Sequence, residues 1–268
     1  MKKLIKITKE SGIPLMGAIA FGIIDRGTDL LQVRPTSVCN LNCVYCSTDS
    51  GACTKTHQAD YEVELDYLLE YVKDAAEYKE TSIEANIDSV GEPLAYKEIV
   101  ALVKGIAAIK SIRRISMQTN GMLLTEKLIN ELEKAGLNQI NLSINTLDPE
   151  QAKMLSGTTH YDLKNSLAMA KKLSQSKIDL LLAPVWIPGV NDKGIEDLIE
   201  LSKELKCKIG IQKYEVYKHS RKLPGVKPIN YWKFYNQIEK WEKQFSTKLK
   251  LTAKDVDVKK AKRLPEKF

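Results

Sequence analysis

Cys39, Cys43 and Cys46 stand in the run Cys-Asn-Leu-Asn-Cys-Val-Tyr-Cys, at spacings of four and three residues. Thiolates are the usual protein ligands of iron–sulfur clusters. Three of them on one short loop can hold three irons of a cubane. The fourth iron then has no protein ligand and can take a cofactor or substrate. A cluster that only carries electrons uses four cysteines, so the missing one is informative. A zinc site is the competing reading; it needs a fourth ligand, which Cys53 or His57 could supply. The chain has five cysteines, an odd number, and four of them fall between positions 39 and 53. That is not the pattern of a secreted disulfide scaffold.

Four more segments carry chemistry-bearing residues. Ser89-Val-Gly-Glu-Pro93 puts a carboxylate beside a glycine. Gln118-Thr-Asn-Gly121 offers two side-chain amides. Asn141-Leu-Ser-Ile-Asn-Thr-Leu-Asp-Pro149 alternates polar Ser143 and Asn145 with apolar Leu142 and Ile144. Pro188-Gly-Val-Asn-Asp192 reads as a turn. If Leu142 and Ile144 pack outward on helices, Ser143 and Asn145 face inward, where polar groups need partners. Tyr214, Tyr217, Lys218, His219, Ser220, Arg221 and Lys222 form a basic and aromatic group, the kind that suits a phosphate-bearing or nucleic-acid substrate. Arg26 and Asp29 are candidates to cover a site. Cys53 reads as a structural or redox-active thiol, and Cys207 as core.

The elements that must position these residues alternate. Strand-like runs cover 30–38, 81–88, 113–119, 138–145, 177–186 and 208–217. Helical spacing covers 61–78, 96–111, 125–136, 148–157, 162–176 and 192–206. Thr125 and Gly136 suit the N-cap and the stop of one of these helices. Several strands are apolar on successive residues, as strands buried on both faces are. The expected fold is therefore α/β, a partial (β/α)6 TIM-like barrel with a parallel sheet. In such folds sites gather at the carboxyl ends of strands, and the segments above all sit there. A C-terminal extension follows, with a helix at 231–245 and a strand at 248–253. The expected division is an N-terminal extension (1–29), a core barrel (30–217), the helix–strand element (218–253) and a basic tail (254–268), either mobile or a linker.

The C-x3-C-x2-C spacing, with an aromatic before the last cysteine, resembles the signature of the radical S-adenosylmethionine (radical SAM) superfamily. The four other segments resemble, in order, that superfamily's Gly-Gly-Glu-Pro, TNG, "SLD" and "xGxND" motifs over roughly residues 30–217. Val90-Gly91 stands where the family has two glycines. The chain looks closest to the branch of molybdenum-cofactor biosynthesis protein A and to a group of archaeal radical SAM proteins. The resemblance implies a [4Fe–4S] cluster on Cys39, Cys43 and Cys46, with SAM on its open iron. It implies Gly91, Glu92 and Pro93 at the methionine amino end, where a carboxylate suits an ammonium. Ser143 and Asn145 are candidates for the ribose hydroxyls, Gln118 and Asn120 for SAM or substrate, and Tyr45 for the adenine. It also implies a ferredoxin- or flavodoxin-type electron donor. A molybdopterin-type cyclase is an alternative, against which no cysteine follows Cys207; a SAM-dependent radical methyltransferase and a zinc-stapled binding module are others.

A formal charge of +7, with 43% hydrophobic residues, fits one sizeable core and a mildly basic surface. RNA, a small heterocycle or a peptide are the candidate substrates, with the 218–222 patch and the tail favouring RNA. The longest apolar run, Ile13 to Ile24, is too short to span a bilayer. No secretory leader opens the sequence, so the expectation is a cytoplasmic protein without membrane contact.

Overall fold

A computed structural model describes residues 2–252, 255 and 257–265. Strand β1 (Lys3–Ile7) is followed by β2 (Gly22–Asp25), β3 (Leu30–Arg34) and β4 (Ala59–Val63). Helix α1 (Leu65–Tyr78) leads to β5 (Ile83–Ile87), α2 (Ile99–Ala107) to β6 (Ile112–Thr119), and α3 (Glu126–Ala135) to β7 (Gln139–Leu142). Helices α4 (Pro149–Ser156) and α5 (Leu163–Leu173) precede β8 (Asp179–Leu182) and β9 (Val185–Trp186). Helix α6 (Asp192–Glu204), β10 (Lys208–Ile209), β11 (Gln212–Lys213) and α7 (Tyr231–Phe245) complete the order.

The main sheet runs β10-β8-β7-β6-β5-β3-β2. Six of its strands are parallel and follow chain order from β3; β2 lies antiparallel on β3 at the edge. This is the mixed α/β, parallel-dominated architecture that the alternation predicts. Leu31, Val33, Ala85, Ile87, Met117, Ile140, Leu142 and Leu182 are buried, which matches strands covered on both faces. Helix α3 starts and stops as its sequence dictates. Thr125 Oγ1 accepts from Leu128 N at 3.1 Å, and Gly136 closes the helix in the left-handed region at φ 103°.

Three elements differ from the sequence reading. First, the helix expected from Tyr61 begins at Leu65. Residues 59–63 form β4, paired parallel with β1, because the Tyr61/Val63 alternation finds a distant strand to join. Second, the long fifth and sixth strands each bend. Pro184 has no N–H to give to the neighbouring β7 side, yet the ladder continues past it through Gly210 N to Leu182 O (2.8 Å) and Gln212 N to Pro184 O (2.7 Å). The β9–β11 pair is thus the kinked continuation of β8–β10. Third, no strand forms at 248–252. The Leu249 and Lys250 N–H groups both bond Glu242 Oε1 at 2.8 Å, which ties this segment to α7; Ala253 lies outside the described residues.

The described part of the tail is docked. Lys260 bridges to Thr28, Asp29 N donates to Lys259 O at 2.9 Å, and Asp29 Oδ1 accepts from Lys259 N at 2.7 Å. Leu264 is buried, and its N–H bonds Asp25 Oδ2. Beneath it, Lys79 Nζ makes a buried ion pair with Asp25 at 2.8 Å and also bonds the Thr28 and Lys262 carbonyls. Lys254, Val256 and residues 266–268 of the expected tail lie outside the described residues. Asp29 therefore fastens the tail and does not cover the site.

Candidate cofactor site

The turn after β3 carries the three cysteines. It is held from below by the last turn of α4, where Asn42 N and Val44 N each donate, at 3.0 Å, to the Ser156 and Leu155 carbonyls. These are helix-end carbonyls that have no intrahelical donor. Gly51, at φ 99°, closes the turn; a Cβ there would lie 2.0 Å from Leu41 O, so only glycine fits.

The cysteines line a cavity of about 500 Å³ at the carboxyl end of the sheet, within the usual range for a small-molecule site. Tyr45, Gly91, Glu92, Pro93, Gln118, Asn120, Ser143 and Asn145 line the same cavity. The eleven residues that the resemblance assigns to the cluster and SAM thus share one space, brought there from the ends of β3, β5, β6 and β7.

Glu92 is 2% exposed. Its carboxylate accepts from Thr119 Oγ1 (2.6 Å), Asn120 N (2.8 Å) and Leu94 N (3.0 Å). Burial pushes its pKa up, and these three bonds pull against that rise. A carboxylate has about four acceptor sites, so about one remains for a ligand. Gly91 packs backbone on backbone: a Cβ would stand 2.2 Å from Val38 O and 2.4 Å from Ser37 O. That contact brings the segment after β5 onto the cysteine turn.

Asn145 Nδ2 donates to the Tyr45 hydroxyl at 2.6 Å, and Oδ1 accepts from Val185 N at 2.8 Å. The side chain thereby takes the ladder bond that β7 no longer offers. Gln118 Nε2 donates weakly to Ser143 Oγ at 3.3 Å. Asn120 Nδ2 donates to Asn40 Oδ1 at 2.8 Å. Tyr45 is half-buried, and the desolvation of its hydroxyl pushes its phenol well above the ordinary range. The Pro188–Asp192 turn is structural here. Asn191 Nδ2 ties the Asn145 and Val185 carbonyls together at 2.9 Å each, and Asp192 accepts from Trp186 Nε1 at 2.8 Å.

Burial pushes the Cys39 and Cys43 thiols up to about 12, with neighbouring cysteines adding to the rise. A cluster assembled on them would therefore have to displace their protons. The Cys46 sulfur is approached by Ser50 N and Thr48 Oγ1, each at 3.3 Å. Hydrogen bonds to ligand sulfurs are one means by which a protein sets a cluster's potential. Three thiols on one cavity wall, with polar groups opposite, fit a cubane with one open iron. Cys53 is exposed and His57 Nε2 lies 2.6 Å from Thr48 O; neither lines the cavity. The zinc reading thus loses both of the fourth ligands that the sequence offers it.

Arg221 is the residue whose role the sequence hides. Read there as part of a free basic patch, it instead clamps the cysteine turn. Its Nε bonds Asp49 Oδ1 at 2.7 Å, Nη1 bonds Cys43 O at 3.2 Å, and Nη2 bonds Ser50 O. Its backbone N–H reaches Cys46 O at 2.9 Å, and Ser220 Oγ bonds Ser47 O at 2.8 Å. Asp49 Oδ2 in turn accepts from Thr54 Oγ1, Lys55 N, Thr56 N and Thr56 Oγ1. Burial would raise the Asp49 carboxyl, but these bonds and Arg221 outweigh it and hold the pKa at about 2. Tyr214 is also withdrawn from the patch: it is buried, and its hydroxyl accepts from Leu223 N at 3.1 Å.

A second polar group lines the cavity wall, and of its members the sequence points only to Arg26. It joins Arg26, Gln32, Arg34 and Asp88, with Arg34 Nη2 and Gln32 Nε2 meeting on Asp88 Oδ2 at 2.9 and 2.8 Å. Lys213, Glu215 and Tyr217 line the cavity from β11 and beyond.

The radical SAM superfamily profile matches residues 33–202. The chain belongs to the radical SAM superfamily. It is 41% identical, over 98% of its length and 68% of the relative's, to the uncharacterized protein MJ0103 of Methanocaldococcus jannaschii. It is 33% identical to a GTP 3',8-cyclase of Clostridium botulinum over 67% of its own length, and spans only 54% of that cyclase. Among solved structures it resembles SuiB of Streptococcus suis bound to S-adenosylmethionine, with a TM-score of 0.64 and 18% identity over 83% of this chain and 49% of that one. Methylornithine synthase gives a TM-score of 0.61 at 14% identity, over 86% of this chain and 64% of the other. The superfamily is defined by a [4Fe–4S] cluster and SAM, and these are the cofactors of this enzyme. No helix among the described residues is long and apolar enough to cross a membrane.

Proposed function

We propose that this radical SAM enzyme uses SAM as a radical initiator and abstracts hydrogen from a substrate admitted to the same cavity. The observation that carries this reading is the meeting of Cys39, Cys43 and Cys46 with Gly91, Glu92, Gln118, Asn120, Ser143 and Asn145 around one space. When bound and reduced, the cluster supplies the electron that splits SAM into methionine and a 5'-deoxyadenosyl radical, the cofactors' own hard chemistry.

The protein's share is placement and exclusion. Cys39, Cys43 and Cys46 hold the cluster. Glu92, fixed by Thr119, Asn120 and Leu94, offers its remaining acceptor site to an ammonium. Ser143 and Asn145 offer hydroxyl and amide groups to a ribose. Tyr45, pinned by Asn145, presents a half-buried aromatic face for a base. The Arg26, Arg34 and Asp88 wall and the Lys213–Glu215 pair bound the rest of the cavity, where a substrate C–H would sit.

An electron donor of ferredoxin or flavodoxin type and a reducing cytoplasm complete the reading. The test is anaerobic reconstitution with iron and sulfide, followed by assay of the reduced enzyme with SAM. About four irons per chain and 5'-deoxyadenosine from wild type but not from Cys43→Ala support it. Iron well beyond one cluster would favour a cyclase-type enzyme instead. Bound zinc with no SAM cleavage would overturn the reading.

A further inference from the structure

Helix α7 divides into two faces. Phe234, Ile238 and Trp241 are buried, and Phe234 and Trp241 pack on Trp186, with the Trp186 and Trp241 ring centroids 5.1 Å apart. The other face carries Tyr231, Trp232 and Tyr235, which are exposed. Large apolar side chains are costly to leave in water, and clustered ones mark a binding surface. Nine large hydrophobic residues are exposed among the described residues, and four of them, Tyr217, Tyr231, Trp232 and Tyr235, lie in this one region. The Tyr231 and Tyr235 rings stack at 6.1 Å and 28°.

Beyond the Lys213–Glu215 ion pair at its cavity end, the charge of the region is positive. From Tyr217 to Tyr235 the chain has four lysines, one arginine and one histidine, and no Asp or Glu. Arg221 is committed to the cysteine turn. Lys218, Lys222, Lys227 and Lys233 are exposed, and among the described residues no ion pair engages them. The surface also reaches the cavity. Tyr217 and Lys213 line the cavity, and Lys213 Nζ sits 4.9 Å from the centre of the Tyr231 ring. Aromatic faces interleaved with unpaired cations, running into the mouth of a site, match a single strand whose bases stack and whose phosphates pair with lysines. A duplex hides its base faces, and the lasting source of unpaired bases is the RNA loop.

We propose that the surface formed by Tyr217, Tyr231, Trp232, Tyr235 and the lysines between them docks single-stranded RNA and leads it to the cavity. This rests on the reading of that cavity as the place of hydrogen abstraction. The docking itself is measured without that chemistry. It also differs from the patch expected at 218–222 with the tail: Arg221 is withdrawn, the described part of the tail docks beside Lys79, and the aromatics of α7 take their place.

Trp232 makes the test specific, since Trp186 and Trp241 are both buried. Cluster-loaded protein is titrated anaerobically with a short unstructured RNA, reading tryptophan fluorescence and, with a labelled strand, anisotropy. Expected are quenching of the exposed tryptophan and salt-sensitive binding. Trp232→Ala should weaken binding about tenfold, the value of one base stack. Removing the four lysines together should flatten the salt dependence by about 0.7 in log–log slope for each phosphate left without its lysine. Lys127→Ala, on the exposed face of α3, should change nothing, and melting temperatures check that every variant folds. The proposal is overturned if no RNA binds at low salt, if Trp232→Ala binds as wild type does, or if DNA of the same sequence or an acidic peptide binds more tightly. SAM cleavage is assayed on the same preparation. RNA binding without cleavage sinks the radical mechanism alone, and cleavage without RNA binding sinks this docking surface alone.

Discussion

Replacing Arg221 by Gln removes the clamp on the cysteine turn while keeping a polar side chain of similar reach. The ion pair it breaks is largely shielded, with side-chain exposures of 15% for Arg221 and 4% for Asp49. Removing one partner of a buried pair costs about 3–5 kcal/mol, because the other charge is left uncompensated. Asp49 Oδ2 keeps its four donors, which places the cost at the lower end, about 3 kcal/mol. For a domain of this size that is a fall of roughly 6–12 °C in melting temperature. The pH dependence supplies an independent check. The folded Asp49 carboxyl is held at about 2, below the ordinary 3.8, so its stabilising share is complete above the unfolded value and lost as pH falls toward 2. With Arg221 gone the folded value moves back up. The gap between wild type and variant should therefore be full above about pH 4 and narrow in more acidic solution. Thermal unfolding of cluster-free protein, followed by circular dichroism across this range, measures both. In the loaded enzyme a chelator should strip iron faster from Arg221→Gln, with Arg221→Lys intermediate because it keeps the charge and loses the fork. A variant that melts with wild type and releases iron at the same rate would refute the clamp.

Gly91→Ala should lose SAM cleavage together with stability, since its Cβ would overlap the Ser37 and Val38 carbonyls; a melting curve and a 5'-deoxyadenosine assay would read both. Asp25→Asn should lower stability by about 3 kcal/mol through the unpaired Lys79 ammonium, and Asp25→Asn with Lys79→Met should recover part of it in the same denaturation assay. Cys53→Ala should keep its iron and its SAM cleavage, because Cys53 is exposed and lies off the cavity; iron counting decides.

What the sequence made legible is what is local. Buried strands betray themselves by consecutive apolar residues, and Thr125 and Gly136 bracket a helix through bonds made within one turn. The cavity residues were legible because each sits just past such a strand, where a parallel sheet collects its side chains. What was hidden is non-local. Arg221 and Asp49 are 172 residues apart, and nothing near Arg221 distinguishes it from its lysine neighbours. The Tyr61–Val63 segment carried a helical period and became a strand because β1 offers it a ladder. The polarity of Asn145 marks it for the cavity, while the geometry also spends its carbonyl on Val185, a need created by the kink at Pro184.

During synthesis the β2–β3 hairpin and Lys79 leave the ribosome long before the segment that covers them. Asp29 waits 230 residues for the N–H of Lys259. Until then the turn between β2 and β3 lacks its partner, and Lys79 has only part of its set of acceptors, the Lys262 carbonyl being still to come. Long-range closure of this kind is slow, because the chain must bring its two ends together before the contact rewards it. The last closure of the fold is thus made at this seam, far from the chemistry, and a loss of the final residues would be felt there first.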